Sequence, residues 1–359
     1  MSATTHSLSD TSRVNNTVSL RWIISARDDI IWFVGSVVSS YLLFALYVSG
    51  LISLGPMVLV WGVLFDAPHG FGTLSRTYFD RSEWRARKRL LIGSLIFFLI
   101  GPVMVLAGLG TLFFVLTGLW AYYHLVKQHY GFMVLYKKKN NDVEALDNKL
   151  DRTFLLIAFT CPLVIFFAQD PEGRANIPDF LRGSIVNLAT PLLIATIIIA
   201  LAWMLRQMQR AVRGQSLNVP KYLLLAAAIP MHWIVLLTPM PHKALAAAAI
   251  LTIFHNLQYH RLIWFHNQKY SVGEDRRERY GAAEFISRRL LYYVAFALLF
   301  GLICQLPRLY AFAYGESYPL LTQAIIAFSL GAALVHYYLD SKIWRVRRDP
   351  EVGKALRMG

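Results

Sequence analysis

An all-α membrane bundle of about ten transmembrane helices, with both termini cytoplasmic, is predicted by three properties of this 359-residue sequence. The first is composition. Residues are 56% hydrophobic and only 16% charged, where a soluble domain carries about 25% charge, and the mean hydropathy is +0.45. The second is length, because the apolar residues form blocks that, as helix, can cross a hydrocarbon core of ~30 Å. The third is the side on which the basic residues fall.

Taken in order, residues 1–27 are polar, rich in Ser and Thr and without a signal-peptide core, and read as a flexible cytoplasmic tail. Ten apolar spans follow, at 30–51, 53–72, 90–109, 111–136, 153–168, 183–205, 221–239, 243–265, 289–306 and 319–341. Residues 28–341 therefore make one transmembrane bundle, and 342–359 make a basic cytoplasmic tail. Thirty-one of the 36 lysines and arginines lie in the two tails and in the connections after spans 2, 4, 6 and 8. The opposite connections hold only Arg174, Arg182, Lys243 and Arg308. This asymmetry sets the orientation and predicts a multi-pass protein of the bacterial inner (cytoplasmic) membrane type.

The net charge of +15 is thus accounted for by topology and contact with anionic membrane lipids, and no nucleic-acid partner is expected. Cys161 and Cys304 sit inside apolar blocks, which gives no disulfide framework. There is no Walker-type loop, no dinucleotide fingerprint and no Ser/His/Asp arrangement that spacing supports.

With the spans placed, the polar residues fall into a pattern. Span 2 ends in Asp66-Ala-Pro-His69-Gly70, span 4 in His124-x4-His129, span 8 in His255-x4-His260 with His266 beyond, and span 10 in His336-x3-Asp340. Seven of the ten histidines gather at one depth, at the predicted cytoplasmic ends of four helices running in the same direction. Ionisable groups at that depth are costly and mark function. The candidate metal ligands are Asp66, His69, His124, His129, His255, His260, His336 and Asp340. At ~100° per residue His336 and Asp340 share a face, as do Asp66 and His69, although Pro68 and Gly70 predict a bend or stop there. The two H-x4-H pairs stand about 140° apart on a regular helix. Both members reach one cluster only if the helix frays or carries a π-turn. His266 lies ~16 Å from His255 along the axis, at the rim. His6 and His242 read as bystanders, and His232 reads as a core histidine.

Imidazole with carboxylate suits iron and other transition metals rather than calcium. In an apolar wall this set predicts non-haem iron, mono- or dinuclear, that acts with O₂ on a lipophilic small-molecule substrate. Electrons, if required, would come from an external donor. The H-x4-H pairs resemble the histidine boxes of membrane fatty-acid desaturases, hydroxylases and alkane monooxygenases, which bind two irons at the cytoplasmic face. The H-x-x-H-H boxes of those families are absent here, and the span count is higher than theirs. Pro68-His69-Gly70 and His336-x3-Asp340 resemble motifs of Brp/Blh-type carotene dioxygenases, which hold one iron by histidines. Both resemblances imply a membrane oxygenase. Two other readings remain open on the residues alone: a haem- or quinone-binding protein, and a proton or metal-ion transporter.

Overall fold

The computed structural model describes residues 18–346 and 349–358. The chain is almost entirely helical. Among the described residues the ten long helices are α1 Ala26–Val48, α2 Leu54–Thr77, α3 Arg81–Leu106, α4 Gly110–Lys139, α5 Ala145–Gln169, α6 Asp179–Val212, α7 Val219–Leu237, α8 Lys243–His266, α9 Leu290–Tyr314 and α10 Pro319–Ile343. Eight of them are long and apolar enough to cross a membrane. The other two, α4 and α8, are equally long and coincide with predicted spans. They fall short on composition because they carry the polar residues of the site.

The one strand pairing among the described residues is a two-residue parallel pairing of Val18–Ser19 with Leu217–Asn218. It ties down part of the predicted N-terminal tail, whose residues 1–17 lie outside the described ones. Ile23 is buried there, and Asp29 accepts hydrogen bonds from the Ile23 and Ile24 amides at 2.7 and 3.1 Å. At the other end, Val352 in the short helix Pro350–Ala355 and Leu356 just after it are also buried. So the described parts of both tails pack on the bundle.

α8 is the central post. It is buried on most of its circumference and packs against α1, α2, α4 and α7. α6 lies at the periphery along α5, with mostly exposed Ile and Leu side chains, the surface expected of a helix facing lipid. Close crossings are made by glycine. A Cβ at Gly101 would lie 2.7 Å from the Ala327 carbonyl oxygen, and one at Gly331 would lie 2.7 Å from Phe98 Cα, so α3 and α10 touch backbone to backbone. Overpacking such a crossing costs about 1–3 kcal/mol or more. Gly331→Leu is therefore expected to lower the melting temperature and to reduce metal binding through His336, five residues on. Gly118→Leu, where no atom lies within 4 Å, should change neither; equal behaviour of the two variants would contradict the crossing as described.

A chain so poor in charge nevertheless buries an ion network where α4, α5, α6 and α7 meet. Lys221, fully buried, donates to Asp142 Oδ2 at 2.8 Å and to both carboxylate oxygens of Asp151 at 3.1 and 3.2 Å. Lys137 also pairs with Asp151. Arg210 binds Asp142 at 2.7 Å and Asp147 at 3.3 Å, and Arg206 binds Asp147 at 2.7 Å. Each buried carboxylate meets at least two cations, which is the condition under which buried charge is tolerated.

Candidate metal centre

The site begins with a local irregularity in α2. Gly62–Asp66 winds as a π-helix, closed by an Ala67 N–H to Gly62 C=O bond. The extra residue lets the helix run on through Pro68, which has no N–H to donate, instead of stopping as the Pro68–Gly70 sequence suggests. Beyond it His69, Thr73 and Arg76 fall on one buried face at i, i+4 and i+7.

In α4 and α8 the geometry takes the other course. Both helices stay regular through their H-x4-H pairs, so only one member of each pair points inward. His124 and His255 face each other with ring centroids 5.1 Å apart. His69 completes one side, its Nε2 3.1 Å from His255 Nε2. His336 completes the other, its Nε2 3.1 Å from His124 Nε2. All four are at least 92% buried, and ligand atoms of His69, His124 and His255 lie within 4.8 Å of one another, as do those of His124, His336 and Asp340.

These separations suit a single ion. Two nitrogens each ~2.1 Å from a metal, at an angle near 90–100°, stand about 3.1 Å apart. Imidazoles at this spacing could hold one transition-metal ion, which would supply Lewis-acid or redox chemistry there.

The atoms behind the ligands orient one of them. Thr73 Oγ1 has one proton, which it gives to Asp340 Oδ1 at 2.6 Å, and Tyr259 OH lies 2.5 Å from Thr73 Oγ1 and 2.8 Å from the same carboxylate oxygen. Thr73 Oγ1 then accepts from His336 Nδ1–H at 2.7 Å. That tautomer leaves the His336 Nε2 lone pair directed into the cluster. Asp340 thus acts through Thr73, and its 3.7 Å separation from His336 Nδ1 is too long for a direct bond. Tyr337 stacks on the His124 ring, centroids 4.6 Å apart. Outer partners of this kind are worth about 10–100-fold in metal affinity. Thr73→Val, which keeps the shape and removes the hydroxyl, is expected to weaken metal binding by about tenfold in equilibrium dialysis; unchanged affinity would detach Thr73 from the site.

The other predicted ligands, His129, His260 and Asp66, are not in these two groups. His129 is fully buried against Phe159, Phe254 and His232, with centroids 5.4, 5.3 and 5.8 Å away. His232 hydrogen-bonds the Ala228 carbonyl through Nδ1 at 2.8 Å, as a core histidine does. His260 stands beside the cluster, its centroid 6.4 Å from that of His69, and its Nδ1 meets Tyr293 OH at 3.1 Å. His266 packs against Trp344. Asp66, in the π-turn, lines a cavity next to His69 and His336. Thr73 was not singled out by sequence as a site residue; its signal was its position four residues after His69, on the same face.

No family model matches this chain, and neither a curated protein nor a solved structure does. The functional reading therefore rests on the residues themselves.

Proposed function

We propose that the chain is an integral-membrane, metal-dependent oxidoreductase in which His69, His124, His255 and His336 hold one non-haem iron ion that acts with O₂ on a lipophilic substrate. The observation that carries this reading is the convergence of four imidazoles from four different helices, with two Nε2 pairs at 3.1 Å. An all-imidazole site suits iron, copper or zinc. Such an ion would supply O₂ binding and electron transfer. The protein's own part is to fix the ligand geometry, to hold the His336 tautomer through Thr73 and Asp340, and to exclude water with apolar walls. We further propose that α4 and α8 cross the membrane with the other eight helices. The site then lies near the cytoplasmic face, where the positive-inside rule puts the ends of α2, α4, α8 and α10.

The spacing also bears on the haem alternative. Axial imidazole nitrogens of a haem stand about 4 Å apart with the macrocycle between them, and neither 3.1 Å pair leaves that room. Oxygen uptake tests the proposal. Protein loaded with iron(II) should consume O₂ when a lipid extract and a reductant are supplied, and zinc-loaded protein should not. Turnover of the same lipid without oxygen would replace the oxygenase reading by hydrolysis or isomerisation.

A further inference from the structure

A cavity of about 80 Å³ opens from the histidine cluster between α9 and α10, and its walls are not uniform. His69 and His336 form one part of its lining. Along α10 the lining runs from His336 to Ile326, ten residues or about 15 Å of helix. A cavity of this volume is narrow: it admits a short stretch of a linear chain but not a fused ring system. Ala333, Leu330 and Phe300 make its apolar sides, but Asp66, Gln305 and Arg308 also face into it.

These three polar groups do not satisfy one another. Asp66 forms no hydrogen bond and no ion pair with any described residue, although the Arg308 charge is near enough to act on it. Arg308 donates to Gln305 Oε1 at 2.6 Å and lies 5.6 Å from the Trp61 ring centroid. Both side chains are packed over Gly62, where a Cβ would lie 2.5 Å from Arg308 Nη1 and from Gln305 Nε2. The π-turn thus has two effects: it makes room for these side chains at Gly62, and it carries Asp66 into the cavity one helical turn, ~4.5 Å, before His69. An acceptor and two donors face one thin apolar slot beside the four histidines.

We infer that this slot binds an unbranched apolar molecule through a hydroxyl group, which donates to Asp66 and accepts from Arg308 or Gln305. The inference rests on the proposed metal site only for its consequence, that the hydroxyl-bearing end is the end presented to the histidines. An alkane would leave Asp66 and Arg308 without partners in an apolar wall, which is costly. A carboxylate would satisfy Arg308 but place two acceptors of like charge side by side at Asp66. A hydroxyl answers both groups.

Binding separates these cases without any turnover. The full chain in lipid nanodiscs is titrated with dodecanol, dodecane or dodecanoate, and apparent Kd is taken from ligand-dependent thermal stabilisation. Dodecanol is expected to bind about tenfold more tightly than dodecane, the discrimination that one hydrogen bond to a charged group supports. In Asp66→Asn, which keeps the side-chain shape, and in Arg308→Met, the preference should fall to within about twofold while bound metal stays unchanged. Equal binding of alcohol and alkane, tighter binding of the carboxylate, or no stabilisation by any of the three would overturn the inference. So would loss of metal from Asp66→Asn, which would make Asp66 a ligand. If the alcohol preference holds in a protein that binds no metal, the slot stands and the metal reading fails.

Discussion

Alanine at His69, His124, His255 or His336 is expected to weaken metal binding by at least about 100-fold, whereas alanine at His129 or His260 should leave it within a few-fold of the parent. The first four are placed by two 3.1 Å nitrogen pairs and by ring contacts that join all four helices. Losing one removes a bond and also separates the helix that carried it from the centre, so the effect exceeds the 10–100-fold of an outer partner. His129 and His260 are the demanding comparison, because each lies five residues along the same helix from a ligand. They test whether the regular helical course of α4 and α8 decides which histidine serves. Bound metal per chain is measured on purified variants, with the melting temperature of the metal-free forms as a check on folding. Retention of metal in all four inner variants would contradict the arrangement, as would its loss from His129→Ala alone.

Asp142→Asn is expected to destabilise the protein by about 3–5 kcal/mol at neutral pH, the cost of leaving buried cations short of an anion. Lys221 and Arg210 each take one of its oxygens, at 2.8 and 2.7 Å. The same contacts set a pH dependence. Burial alone would raise the Asp142 pKa, but Lys221 first, then Lys137 and Arg210, hold the carboxyl down to about 2. A carboxyl whose folded pKa lies below its unfolded value stabilises the fold above the unfolded pKa, near 4, and loses that contribution as pH falls towards the folded one. Thermal stability in detergent should therefore decline between about pH 4 and pH 2, and the variant, already lacking the charge, should decline less. Parallel curves for the two proteins would show that Asp142 does not carry the acid sensitivity.

That the histidines of helices 2, 4, 8 and 10 come together was legible in the sequence, because hydropathy and basic sidedness place those helix ends at one level without reference to histidine. The choice of ligands was only half legible. Periodicity states that an H-x4-H pair diverges by ~140°, so one member must turn away unless the helix distorts. Which member turns away depends on the neighbouring helices, and one chain read linearly does not contain that. The distortion did occur, but in α2 rather than in α4 or α8. There Pro68 and Gly70 read as a bend or stop, while a π-turn at Gly62–Asp66 carries the helix on. That misreading hid Thr73, because a residue beyond a helix stop has no defined face. The aspartates were assigned as possible ligands because spacing puts each on one helix face with a histidine. The structure gives Asp340 a hydroxyl to orient and gives Asp66 a cavity to line. The two tails read as free because they are polar, yet Ile23, Val352 and Leu356 are single apolar residues that anchor them, too sparse to show as periodicity.

X-ray absorption at the metal edge of the purified full chain, combined with pulsed EPR for coupled imidazole nitrogens, tests the central claim most directly. A single ion with four imidazole nitrogens at about 2.1 Å and no second metal within about 4 Å is the result predicted by the four converging histidines. Sulfur in the coordination sphere, two or fewer imidazoles, a metal–metal distance of ~3.5 Å, or the lack of any stoichiometric metal would contradict it.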